Sequence, residues 1–130
     1  FFDKKLNYFG MGEDQLFFSK LSRLGYKIIW SKNIRVYEKI HFHRNSSKWI
    51  KSRSYRLGIL GHYIDQNLNG KFLGFVINYI KFFSYLFNSI LLFLLIFRKN
   101  NYYKFLNFFF RAFGRLVGPF IFKKIKFYKK

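Results

Sequence analysis

Tyr26-Lys27-Ile28-Ile29-Trp30-Ser31-Lys32-Asn33-Ile34-Arg35-Val36-Tyr37 is the stretch that separates an α/β chain from a helical one. Its β-branched and aromatic residues fall in two short runs around a polar turn, which predicts strands at 26–30 and 34–37. Upstream, Gly10-Met11-Gly12 makes a turn and a helix is expected from about Glu13 to Leu24. Phe17, Leu21 and Leu24 form its expected apolar stripe, and Gly25 stands where a left-handed C-cap belongs. Glu13 and Asp14 occupy its first turn, where acids favour the helix dipole. Downstream, a loop carries His41 and His43, and Asn45 or Ser46 can cap a helix that begins near Ser47. Trp49, Arg53 and Arg56 then share one helical face.

The chain divides near residue 70. All five acids and all three His lie before that point, whereas the rest alternates Phe, Leu and Ile runs with Lys and Arg. Twenty-five Lys and Arg against those acids give a net charge of +20, so anionic partners are expected. The 51% apolar content rules out a basic disordered tail. The lack of Cys removes disulfides, Cys-ligated zinc and thiol catalysis. The chain opens on Phe1 with no cleavable signal pattern, which suggests a piece of a longer protein.

Taken in order, Gly12-Glu13-Asp14-Gln15-Leu16-Phe17-Phe18, Leu21, Leu24-Gly25-Tyr26-Lys27-Ile28 and Trp30 form one block. Val36-Tyr37-Glu38, Arg44, Ser47, Trp49, Arg53 and Tyr55-Arg56-Leu57-Gly58 follow it. This order resembles the C-terminal part of the bacterial family 2 inverting glycosyltransferases. Their "GED…F…RL…G" block precedes a "VYE" strand and an "R…W…R…R.G" helix, and Lys20-Leu21 replaces their "RL" here. The resemblance implies an α/β fold, the C-terminal part of a GT-A, Rossmann-like domain that is mostly helical here with two short strands. It implies acceptor-side catalytic sequence over 1–70, a hydrophobic transmembrane or re-entrant helix over 71–99, and a basic amphipathic membrane-associated helix and tail over 100–130.

Inversion needs a base that deprotonates the acceptor hydroxyl as it attacks, and the resemblance assigns that role to Asp14 with Glu13 as its neighbour. From residue types alone, the two acids read more simply as stabilising a helix N-terminus. Arg53, Arg56 and Arg44 match the cations that would hold the donor diphosphate, with Trp49 on the acceptor side. A solvated basic face is the plainer alternative for them. His41 and His43 alternate as metal ligands could, although exposed loop histidines read more simply. Glu38 suits a pairing with Arg35 or Arg44. The Asp-x-Asp that carries Mg²⁺ or Mn²⁺ in such enzymes is absent from the sequence, so a divalent metal is expected only in a longer, complete enzyme and this stretch is expected to be inactive alone.

Phe82 to Phe97 is uncharged but reaches only roughly 24 Å as a helix, short of a hydrocarbon core of about 30 Å. Starting at Phe72 makes it long enough and brings in Asn78 and Lys81. A lipid-facing Lys81 costs roughly 2.5–3.5 kcal/mol unless it snorkels or faces protein. From Tyr102 to Phe122, Lys104, Arg111 and Arg115 predict a basic stripe on a Phe-rich interfacial or re-entrant helix, broken at Gly118-Pro119. Gly70/Gly74 and Gly114/Gly118 carry the weak G-x-x-x-G spacing. The basic tail from Lys123 suits anionic lipid.

The expected function is a membrane-associated transfer of sugar from a nucleotide-sugar donor to a glycan or lipid-linked acceptor, at the cytoplasmic face of a bacterial inner membrane. A non-catalytic basic membrane anchor or adaptor is the alternative. A nucleic-acid partner is disfavoured by the long apolar run and the dispersed cations.

Overall fold

A computed structural model describes residues 6, 11–29, 31–39, 44, 46–98 and 101–125, with side chains in the last helix to Ile121. Its elements are α1 (Glu13–Arg23), α2 (Ser47–Asn69), α3 (Lys71–Leu94) and α4 (Asn101–Ile125). The expected α/β class is therefore corrected to a helical one. No strand occurs among the described residues, and the stretches 26–29 and 34–37 are irregular and exposed. A strand exists only through a paired ladder and a face to bury. Ile29, Val36 and Tyr37 are each more than four-fifths exposed, so these residues have neither.

Local chemistry sets the helix ends. Gly12 (φ 91) precedes α1 and accepts the Leu16 N–H at 3.1 Å. At the far end Gly25 (φ 86) closes a double-bonded cap, with its N–H on Ser22 O and that of Tyr26 on Leu21 O. The face of α1 differs from the expected stripe: Leu16 is buried and Leu24 is 74% exposed. What α1 docks against decides this, because Leu16 joins Leu6, Ile59, Leu60 and Ile64 in one core cluster. Ser46 caps α2, its hydroxyl accepting from Trp49 N at 3.2 Å.

Gly70 alone separates α2 from α3, and its left-handed φ of 80° lets the chain reverse within one residue. The two halves of the chain, divided near residue 70, thus meet in a helical hairpin. There, Gly74 lies so close to α2 that a Cβ would come within 2.6 Å of Gln66 Cα. Helix α4 runs back along α3, with Phe93 against Phe105 (5.6 Å) and Tyr85 against Phe108 (5.9 Å). It lies parallel to α2, with Ser54 bonded to Asn107 and Gly118 lying over Ile59 and His62. The α2–α4 crossing is backbone on backbone. A Cβ on Gly114 would stand 2.1 Å from Tyr55 O, and one on Gly58 would stand 2.3 Å from Arg111 O. Gly114 thus serves a close helix contact, as its spacing to Gly118 hinted.

The expected break at Gly118-Pro119 does not occur, and α4 continues to Ile125. Pro119 has no N–H to give the carbonyl four residues back, which is that of Arg115. Asn78 of α3 supplies the missing donor: its Nδ2 lies 3.2 Å from Arg115 O. A side chain from a neighbouring helix thereby completes the helix through its proline.

Candidate functional site

Glu13 and Asp14 stand at the open end of α1. Asp14 is exposed, and its Oδ1 accepts from Gln15 N at 2.8 Å. Glu13 is half-buried, and its Oε2 has no hydrogen-bond partner among the described residues. Behind the pair, Gly12 rests on Leu60, where an added Cβ would lie 3.2 Å from Leu60 Cδ1. Leu60, Arg56, Arg53 and Trp49 are spaced along one face of α2, so the helix that seats Gly12 carries those cations toward its N-terminus. The Arg53 guanidinium stacks 4.8 Å over the Trp49 ring, which holds it in a defined place. Arg44 pairs with Glu38, one of the two partners expected for that acid. His41 and His43 lie outside the described residues.

A shallow depression of about 270 Å³ lies at the other end of α1, lined by Lys20, Arg23, Leu24, Asn67 and Leu68. Arg23 holds that end to α2, donating to Leu68 O and, at 2.6 Å, to Asn69 Oδ1. None of these lining residues is an acid.

A second polar centre lies where α2, α3 and α4 meet, and sequence reasoning missed it. Asp65 is buried and accepts from Lys81 Nζ at 2.7 Å and from Arg115 Nη1 at 2.8 Å. The same Arg115 Nη1 reaches Asn78 Oδ1 at 3.1 Å, and Asn78 is fully buried. The expected exposed stripe of Lys104, Arg111 and Arg115 is corrected accordingly. Only Lys104 is exposed, Arg115 is buried, and both guanidinium groups lie within 6 Å of the Tyr85 ring centre. Asp65 was visible as one of five acids, but nothing nearby in sequence marked its partner fifty residues on.

His62 borders this centre. Its ring is buried, with Nδ1 unpartnered among the described residues. Burial first, and then the Arg115 charge, push its pKa below the ordinary 6.5, while Asp65 opposes them. Its neutral form is therefore the one that fits.

The described residues gather no group of three or more His, Cys, Asp or Glu that could hold a metal ion. The Asp-x-Asp that would carry the divalent cation in a complete enzyme is absent from this sequence. Helix α3 is long and apolar enough to cross a membrane, and it is mostly uncovered by the rest of the chain. In comparisons with known proteins, the chain matches no family model, no curated protein and no solved structure.

Proposed function

We propose that this chain is the acceptor-side, membrane-associated part of an inverting glycosyltransferase, with Asp14 as the general base. The observation that carries the proposal is the placement of Glu13–Asp14. The pair opens α1 behind a glycine seated on the α2 face that also bears Arg56, Arg53 and Trp49. Asp14 is exposed and acceptor-accessible, so its carboxylate can take the hydroxyl proton while the acceptor oxygen bonds to the anomeric carbon. The bond from that carbon to the nucleoside diphosphate breaks with inversion, and the leaving oxygen keeps the electron pair. Arg53 and Arg56 stabilise the charge that develops on the diphosphate, and Arg53 is already fixed by Trp49. Glu13 orients its neighbour or accepts a second acceptor hydroxyl.

The test is Asp14→Asn in the complete protein in its membrane, with nucleoside diphosphate release followed over a panel of nucleotide sugars. Removal of a general base lowers the rate by about 10²–10⁴-fold. Transfer at a near wild-type rate would remove Asp14 from the chemistry and leave the basic membrane anchor as the better description.

A further inference from the structure

Helix α3 is inside out by the standards of a water-soluble bundle. Its face toward α2 and α4 carries Gly74, Asn78, Lys81 and Ser89, whereas Phe72, Ile80, Phe83, Phe87 and Leu94 face outward. Those five are each more than three-fifths exposed. Helix α4 repeats the arrangement, with Arg115 and Gly118 inward and Phe109, Phe113, Leu116 and Phe120 outward. The exposed positions of α1 and α2 are largely polar: Asp14, Gln15, Lys20 and Arg23 on one, Lys48, Ser52, Arg53 and Asn67 on the other. The four helices therefore present one apolar side and one polar side.

We infer that this apolar side lies in a single leaflet of an anionic membrane, with α3 in the plane of the interface instead of crossing it. The occupant of the face is lipid, because cations mark its borders. Lys71 begins α3, Arg98 follows its end, Lys104 stands in the first turn of α4, and no acid follows Asp65. The in-plane orientation follows from what α3 is tied to. Lys81 lies roughly 15 Å along the helix from Lys71, which is half of a hydrocarbon core about 30 Å thick. Its partner Asp65 belongs to α2, and α2 is tied in turn to α1 through Arg23. A crossing α3 would draw that polar flank toward the middle of the bilayer, where each charge costs roughly 2.5–3.5 kcal/mol. An in-plane α3 buries its Phe and Leu side chains about 5–10 Å deep and leaves α1 and α2 in water.

The inference rests on the membrane association in the proposed function, and its test separates the two. The chain contains no Cys, so Lys71→Cys, Arg98→Cys, Phe72→Cys, Phe83→Cys and Leu94→Cys each hold a single thiol in it. Each variant is reconstituted into sealed vesicles of phosphatidylethanolamine and phosphatidylglycerol, and those that float with the lipid are assayed. With α3 in one leaflet, Lys71→Cys and Arg98→Cys react equally with a membrane-impermeant maleimide before permeabilisation. Bimane at positions 72, 83 and 94 is then quenched most by lipids brominated at one shared, shallow depth. If one end reacts only after permeabilisation, or position 83 lies deeper than 72 and 94, α3 crosses the membrane and the inference is overturned. Failure of every variant and of the wild type to float overturns membrane binding itself, while the Asp14→Asn result stands independently.

Discussion

Pro119 and Asn78 make a prediction with a number attached. In an uninterrupted helix the Arg115 carbonyl would take the N–H of residue 119, and proline has none. Asn78 Nδ2 fills the vacancy at 3.2 Å, and its Oδ1 accepts from Arg115 Nη1 at 3.1 Å. Asn78→Leu keeps the bulk and removes both bonds. Orphaning the buried carbonyl costs about 1–3 kcal/mol, and losing the bond from the charged guanidinium costs about 1.5–3 kcal/mol. Pro119→Ala restores a backbone donor, so in that background Asn78→Leu should lose only the second of these. The double-mutant cycle is therefore expected to show a coupling of about 1–3 kcal/mol, the carbonyl's share. Urea unfolding in a mild non-ionic detergent, followed by far-UV circular dichroism, gives the four free energies, provided that the slopes agree. Additivity within about 0.5 kcal/mol would mean that Asn78 does not replace the proline's missing donor.

Three further perturbations address the packing, a left-handed glycine and the buried histidine. Gly114→Ala places a methyl 2.1 Å from the Tyr55 carbonyl oxygen, an obstacle that no side-chain rotation relieves, so a loss of about 1–3 kcal/mol or more is expected from the same unfolding measurement. Gly25→Ala meets no atom within 4 Å but keeps a φ of +86°, and should cost only about 1–2 kcal/mol through that left-handed backbone. For His62 the sign follows from its lowered folded pKa. The unfolded chain binds the proton more readily, so the stability is complete above the ordinary 6.5 and declines as the pH falls below that value. His62→Gln should flatten the change in unfolding free energy between about pH 7.5 and 5.5, and an unchanged slope would assign the dependence to other groups.

How far the sequence could be read depends on how local each cause is. Gly25 and Ser46 announced their helix ends because a cap is settled by atoms within a few residues. The shared face of Trp49, Arg53 and Arg56 was legible for the same reason, since helical spacing alone brings Arg53 over the indole. The stretches 26–29 and 34–37 failed as strands because strand identity is a property of a pair, and Trp30 lies outside the described residues. Branched and aromatic residues favour a ladder but cannot form one without a neighbour. Leu16 displaced Leu24 on the buried face of α1 because Leu60 lies on that side, a fact set far along the chain. Arg111 and Arg115 read as part of an interfacial basic stripe, and Lys81 as a costly charge unless it snorkelled or faced protein, because only the fold brings Asp65 to Lys81 and Arg115 and Tyr85 beneath Arg111.

The buried ion centre then bears on the candidate site through geometry. A buried ion pair offers little net stability over a well-packed apolar replacement, because desolvation offsets much of its attraction, so stability alone is a weak explanation for Asp65. What the pairing does supply is register. Asp65 meets α3 where Lys81 stands and α4 where Arg115 stands, and α4 sliding by a turn would leave the Arg115 charge buried without a partner, at about 3–5 kcal/mol. The α2–α4 crossing adds its own constraint, since a Cβ on Gly114 or Gly58 would stand 2.1 or 2.3 Å from the facing backbone oxygen. Asp65 lies between Leu60, on which Gly12 rests, and Leu68–Asn69, which Arg23 holds, so the register of α2 also sets where Glu13 and Asp14 stand. With the apolar face of α3 at a leaflet, as inferred above, the same register would keep those carboxylates at a fixed distance from the lipid surface. The proposed base, meeting a lipid-linked acceptor hydroxyl, would need that constraint more than extra stability.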